Sequence, residues 1–285
     1  MIDSYHAIDP FRRARQALSG TVGFVPTMGY LHEGHLALVA RARDENDHVI
    51  VSIFVNPTQF DRADDLDRYP RDLQRDLQLL DDAGMTMVLA PSGETIYPQG
   101  YATTVTVAGL TERLEGAKRP GHFDGVATVV AKLLNIVQPD RAYFGQKDAQ
   151  QLVVVRRMVA DLNLPVQIIG VPTVREADGL ALSSRNVFLQ GDARADALAL
   201  SQALGAAQAA WQQGERDAAT LRRIATDRYA DFPGVEVEYL SLADPDTLKE
   251  LHGPIKRGLM STAAWVGGVR LIDNVAFDPT ATQSK

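Results

Sequence analysis

Two histidines three residues apart, His32 and His35, close the stretch PTMGYLHEGH (26–35). The apolar run 22–25 reads as a buried strand before it, and apolar spacing over 36–43 reads as a helix after it. In open α/β sheets, ligands collect beyond the carboxyl ends of the strands. A helix N-terminus there offers unsatisfied N–H groups and partial positive charge to a phosphate. Gly29 and Gly34 allow close backbone approach, and each imidazole can donate to phosphate oxygens as negative charge develops. That pattern fits phosphoryl or nucleotidyl transfer. Two histidines in a loop are also often plain polar surface. A zinc reading lacks a third ligand, since neither H-E-x-x-H spacing nor any cysteine supplies one.

A second strand-to-helix junction carries YFGQKDAQQL (143–152). Lys147 is a mobile point charge suited to polyphosphate, Asp148 suits a helix cap or a ribose hydroxyl, and Gln151 falls one helical turn after Lys147. The stretch LSSRN (182–186) follows the charged residues Arg175, Glu176 and Asp178, and its two hydroxyls and guanidinium suit a phosphate clamp or an ordinary Ser-rich turn. In VNPTQF (55–60) the amide of Gln59 both donates and accepts, which suits a neutral hydroxylated substrate, while Asn56 and Pro57 suit a turn. The acidic run Asp61, Asp64, Asp65, Asp67, Asp72 and Asp76 reads as a solvated face rather than a metal cage, and no metal ligands are assigned from it.

Positioning these loops requires strands at 22–25, 49–55, 85–89, 141–144 and 166–171, with period-two alternation also at 103–107. Helices are expected at 36–43, 71–83, 123–137 and 149–161, the third closed by Pro139. This order predicts βαβ units around a parallel sheet. Beyond Pro172 a polar loop leads to helices at 192–213 and 218–231, then strand-like runs at 235–242, 259–266 and 269–272. The expected architecture is α/β: a Rossmann-like parallel-sheet domain over 1–172 and a smaller α+β domain over 173–285 that closes over the active site.

Composition narrows the partners. Of 285 residues, 45% are hydrophobic and 23% charged, as in soluble globular proteins. The 36 acidic against 29 basic residues give a net charge of −7, so the average field repels nucleic acid and acidic membranes. With no cysteine there is no disulfide, thiolate metal site or enzyme-bound thioester. The N-terminal stretch has no apolar signal region, and no run approaches the roughly 20 apolar residues that span a bilayer, so a cytoplasmic protein is expected.

In this order and spacing, PTMGYLHEGH, SIFVNPTQF, RPGHFDGVATVV, FGQKDAQQL and GLALSSRN resemble the pantothenate synthetase (pantoate–β-alanine ligase) family. The resemblance implies ATP-dependent joining of pantoate to β-alanine through pantoyl adenylate, with pyrophosphate and then AMP released. It places ATP, with Mg²⁺ expected alongside, on Met28, Gly29, Tyr30, Leu31, His32, Glu33, Gly34 and His35. Further ATP contacts fall on Gly145, Gln146, Lys147, Asp148, Val174, Leu182, Ser183, Ser184 and Arg185. It makes His35 the catalytic histidine, puts pantoate on Gln59 and Gln151 with β-alanine also at Gln59, and implies a homodimer. The chemistry needs no enzyme nucleophile: a carboxylate attacks the α-phosphorus in line, with His32, His35, Lys147 and Arg185 stabilising the charge that develops. Leu182 stands where the family commonly has Met, a change that preserves volume. Competing expectations are another H-x-G-H adenylyltransferase, which would want a basic pocket in place of the two glutamines, and a nucleotide-binding protein of the same fold that has lost catalysis.

Overall fold

Strand β2 (Val22–Thr27) has nearly every residue buried, and β3 (His48–Ile53) repeats the pattern beside it. Strands covered on both faces read as continuous apolar runs rather than alternating ones, the mark of a parallel sheet between helices. The computed structural model describes residues 2–279. Its first sheet adds β1 (Asp3–Tyr5), β4 (Met87–Leu89), β5 (Arg141–Gly145) and β6 (Gln167–Val171), all paired in parallel in the order β1-β4-β3-β2-β5-β6. Thr27 faces Ile53 at the carboxyl ends of β2 and β3, so the loops at 28–32 and 54–60 leave the sheet along one edge.

Helices α1 (Ile8–Gln16), α2 (Glu33–Glu45), α3 (Ala63–Arg68), α4 (Leu73–Asp82), α5 (Gly93–Ile96), α6 (Leu114–Lys118), α7 (His122–Val137) and α8 (Ala149–Asp161) connect these strands. Leu38, Val39 and Ala42 of α2 join Val25, Val49, Val51 and Leu80 in one buried cluster. Helix α7 is buried at twelve of its sixteen positions, which is why its apolar spacing stood out in the sequence.

The chain divides into two compact units, one comprising the residues up to Gln146 with Gln151–Pro172, the other Lys147–Gln150 with the residues from Thr173 on. The second unit contains α9 (Asp192–Asp196), α10 (Leu198–Gln212), α11 (Ala218–Tyr229) and an antiparallel sheet of β7 (Val235–Ala243), β8 (Gly258–Val266) and β9 (Val269–Phe277). Its core is separate: Leu200, Leu204, Trp211 and Leu221 pack with Leu242, Met260 and Phe277. The expected fold class, a Rossmann-like parallel-sheet domain with a smaller α+β domain, is the one observed.

Three local expectations change, and two elements had not been expected. Residues 103–107 form no strand; Val107 turns inward and the threonines outward, but the Val105 N–H donates to Thr128 Oγ1 of α7 (2.9 Å) instead of to a neighbouring strand. The helix expected over 192–213 is broken at Ala197, a fully buried residue whose ψ of −21° is nearer 3₁₀ than α geometry. Strand β9 runs five residues past 272, because Asp273 and Asn274 keep their polar side chains hydrogen-bonded within the sheet's surroundings. Strand β1 and helix α1 carried no clear periodic signal: β1 has three residues, and Phe11 is the one buried side chain of α1.

Candidate functional site

The loop after β2 is shaped by its own side chains. Gly29 (φ +81°) and Tyr30 (φ +51°) both take left-handed conformations. A buried carboxylate holds them there, since Asp76 of α4 accepts the N–H groups of Tyr30 and Leu31, each at 2.7 Å. Burial pushes the Asp76 carboxyl above the ordinary aspartate value, while the two backbone N–H bonds pull it back only in part. Asp76 is therefore not part of a solvated acidic face. Elsewhere in the run, Asp72 caps α4 and Asp61 pairs with Arg119. Among the described residues no group of three His, Asp or Glu side chains is arranged to hold a metal ion.

Helix α2 starts earlier than its apolar spacing suggested, so both histidines lie in its first turn. His32 is the N-cap: its Nδ1 accepts from Gly34 N–H (3.1 Å), and His35 Nδ1 accepts from the His32 N–H (3.3 Å). The two rings lie 4.1 Å apart between centroids. This is a capping box built from imidazoles in place of Ser and Glu. It corrects the expectation of unsatisfied N–H groups facing the ligand, because those of Tyr30, Leu31, His32 and Gly34 are already taken. With each Nδ1 an acceptor, the proton of the neutral ring sits on Nε2, and the polarity of the helix terminus is passed through the rings to Nε2–H.

Gln59 ends a 3₁₀ turn at Pro57–Gln59. Asn56, buried, donates to Gln59 Oε1 (3.0 Å) and to Gly125 O (3.1 Å) while accepting from Tyr97 OH (2.8 Å). The Gln59 amide is thereby oriented, and its Nε2 reaches Met28 Sδ at 3.2 Å. Gly125 lets α7 lie directly on this turn: a Cβ there would stand 2.3 Å from Thr58 O. The Gln59 carbonyl accepts from Arg119 (3.1 Å) and from His122 Nδ1 (2.6 Å). Burial alone would raise the Asp61 carboxyl, but the Arg119 guanidinium at 2.9 Å outweighs it and holds Asp61 low. Lys132 of α7 stands 4.5 Å over the Tyr101 ring, with its pKa lowered by burial.

In the second unit, Leu182 N–H donates to Val174 O (3.0 Å), and Arg175 bridges Ala181, so these residues form the arms of a small hairpin. Ser183 then starts a 3₁₀ turn, Ser184–Phe188, its Oγ accepting from Arg185 N–H (3.2 Å). Arg175 makes a two-pronged bond to the buried Asp273 (2.6 and 2.9 Å), and the carbonyl of Lys147 accepts from Asn274 Nδ2 (2.8 Å).

A family model described as pantoate-beta-alanine ligase matches residues 2–276. The chain belongs to the pantoate–β-alanine ligase family. Pantothenate synthetases from Moorella thermoacetica and Roseiflexus castenholzii are 54% and 57% identical to it, over 98% and 95% of this chain and 98% of each relative. The crystal structure of the Thermus thermophilus pantothenate synthetase superposes with a TM-score of 0.93 at 50% identity, covering 98% of this chain and all of that one. A pantoate–β-alanine ligase from Francisella tularensis, solved with Beta-gamma ATP and β-alanine, gives 0.79 at 36% identity over 96% and 97%. This chain is accordingly an enzyme, a ligase of pantothenate biosynthesis.

Within the first unit of this ligase, the 28–35 loop and Gln59 meet through the Met28–Gln59 contact, while Gln151 stands on the first turn of α8. Within the second, Lys147, Val174 and 182–185 share one scaffold. Of the residues that hold these groups, sequence reasoning took Asp76 for a solvated face and Asn56 for a turn residue, and gave no role to Tyr97, Arg119, His122, Asp273 and Asn274. Arg119 and His122 lie in the RPGH stretch, a signal that was present without a geometry to interpret it.

Proposed function

We propose that the enzyme activates pantoate with ATP and then transfers the acyl group to β-alanine. The observation that carries this reading is that the 28–35 segment holds two imidazoles oriented through Nδ1 by backbone N–H groups and also touches the oriented amide of Gln59 through Met28. A pantoate carboxylate oxygen attacks the α-phosphorus, the bond to the β-phosphate oxygen breaks, and pyrophosphate leaves with pantoyl adenylate formed. The uncharged amine of β-alanine then attacks the acyl carbon and AMP leaves with the bonding pair, giving the amide. Over the second step the β-alanine ammonium gives up two protons to solvent and keeps the third as the N–H of the new amide.

His32 and His35 donate from Nε2 to the α-phosphate as its charge rises, and Met28–His35 line the nucleotide. Lys147 and Arg185 neutralise the phosphates, with Gly145, Gln146, Asp148, Val174 and Leu182 completing the ATP contacts. Ser183, whose Oγ already accepts a backbone N–H, donates its own hydroxyl to a phosphate oxygen, as does Ser184. Gln59 offers Nε2–H to a pantoate oxygen, since its Oε1 is occupied by Asn56, and Gln151 offers a second amide; β-alanine enters beside Gln59. Mg²⁺ arrives on the ATP phosphates as part of the substrate. The enzyme is a cytoplasmic homodimer in this reading, a part supported by the family likeness alone, and sedimentation of the purified chain checks its oligomeric state.

A coupled assay tests the chemistry. Pyrophosphate should appear with pantoate, ATP and Mg²⁺ alone, and AMP only once β-alanine is added. Folded protein that yields no pyrophosphate from the first mixture would overturn the adenylate route.

A further inference from the structure

Two neighbouring residues of β9 hold segments that are more than ninety positions away in sequence. The Asn274 amide donates to the backbone carbonyl of Lys147 (2.8 Å). Asp273, buried beside it, takes both prongs of Arg175 and also the Asn274 N–H (2.8 Å). Arg175 in turn donates to Gly179 O (3.1 Å), closing the hairpin whose second arm runs into Leu182 and Ser183. The turn at Ser184–Phe188, which contains Arg185, packs on β9 as well. Residues 273 and 274 sit in an unbroken ladder with β8, facing Thr262 and Ser261, so their backbone positions are fixed by the sheet.

We propose that Asp273 and Asn274 are positioning residues of the ligase: together they set the register of Lys147 against the hairpin that delivers Ser183, Ser184 and Arg185. The inference rests on the reading that these four residues bind the ATP phosphates. A strand in a paired sheet is stiffer than a loop, and anchoring both segments to consecutive residues of one strand ties their separation to the strand's own geometry. The expected signature is asymmetric. One amide-to-carbonyl hydrogen bond contributes little net to folding, whereas a 1 Å misplacement of a charge at a reacting phosphate can cost about a hundredfold in rate.

The test uses full-length enzyme and single-turnover pyrophosphate release. Asn274→Asp replaces the donor with an acceptor facing the Lys147 carbonyl, and Asn274→Ala removes it. Each should slow adenylation by about tenfold or more with the melting temperature little changed. In a Lys147→Ala background, Asn274→Asp should add little further loss, because its effect passes through Lys147. Asp273→Asn, which keeps the shape but weakens the hold on Arg175, should raise the KM for ATP while leaving that for pantoate near wild type. Rates for both Asn274 variants within about twofold of wild type, or losses that multiply fully in the double variant, would overturn the positioning role. A Lys147→Ala enzyme at wild-type rate would instead overturn the phosphate assignment beneath it.

Discussion

A histidine that caps its own helix is chemically committed in a way that a surface histidine is not. His32 and His35 each accept a backbone N–H at Nδ1, so the ring orientation is fixed before substrate arrives and Nε2 is the nitrogen left to face it. Preorganised donors cost no reorganisation when charge develops at phosphorus, which is why losing one typically costs about 3 kcal/mol, or roughly a hundredfold. At His35 the same substitution also removes the reciprocal half of the capping box, whose loss costs no more than that of a full cap, about 0.5–2 kcal/mol. His35→Ala is therefore expected to slow pyrophosphate release about a hundredfold while the protein stays folded, as single-turnover kinetics beside a thermal melt would show. A rate within a few-fold of wild type would remove His35 from the transition state.

At the scale of elements, the site depends on how the turn at Pro57–Gln59 is clamped between α7 and the RPGH stretch. Asp61 ties that stretch down through Arg119, and its carboxyl is held below the ordinary value of 3.8. A depressed carboxyl contributes stability that is present above the unfolded pKa and lost as pH falls through the folded one. The stability gap between wild type and Asp61→Asn should thus be steady from neutral pH down to about pH 5 and shrink below 3.8, as denaturant melts at several pH values would show. A gap that widens on acidification would contradict the pairing. How far such elements can be read in advance follows from their burial. Strands β2 and β3 and helix α7 were legible because their apolar residues repeat at the period of their structure. The segment 103–107 has the period of a strand but meets a threonine of a helix, and alternation alone cannot reveal what lies opposite. His32, His35, Gln59, Lys147 and Arg185 stood out by residue type. Asp76 and Asn274 did not, because their work is done on backbone groups distant in sequence, and an acidic run or a strand end gives no sign of such a partner.

For the whole molecule, a net charge of −7 must coexist with binding of a nucleotide that is itself an anion. The two cations assigned to the phosphates, Lys147 and Arg185, both belong to the second unit, whose hydrophobic core is its own. Ligand that binds only the native state stabilises whatever it contacts, by about 2.7 kcal/mol at a hundredfold excess over Kd. Local opening is suppressed accordingly in the segments that gain contacts. Hydrogen exchange with a non-hydrolysable ATP analogue and Mg²⁺ should therefore show added protection in the first unit at 28–36. In the second unit the same protection should appear at 147–150 and 182–188, and at 273–274 through the β9 anchor. Segments remote from the nucleotide, such as α11 and the strand β1, should change little. Protection confined to the first unit would strip Lys147 and Arg185 of their phosphate role. Protection at 147–150 and 182–188 without any at β9 would leave that role intact and count against Asp273 and Asn274 as its support.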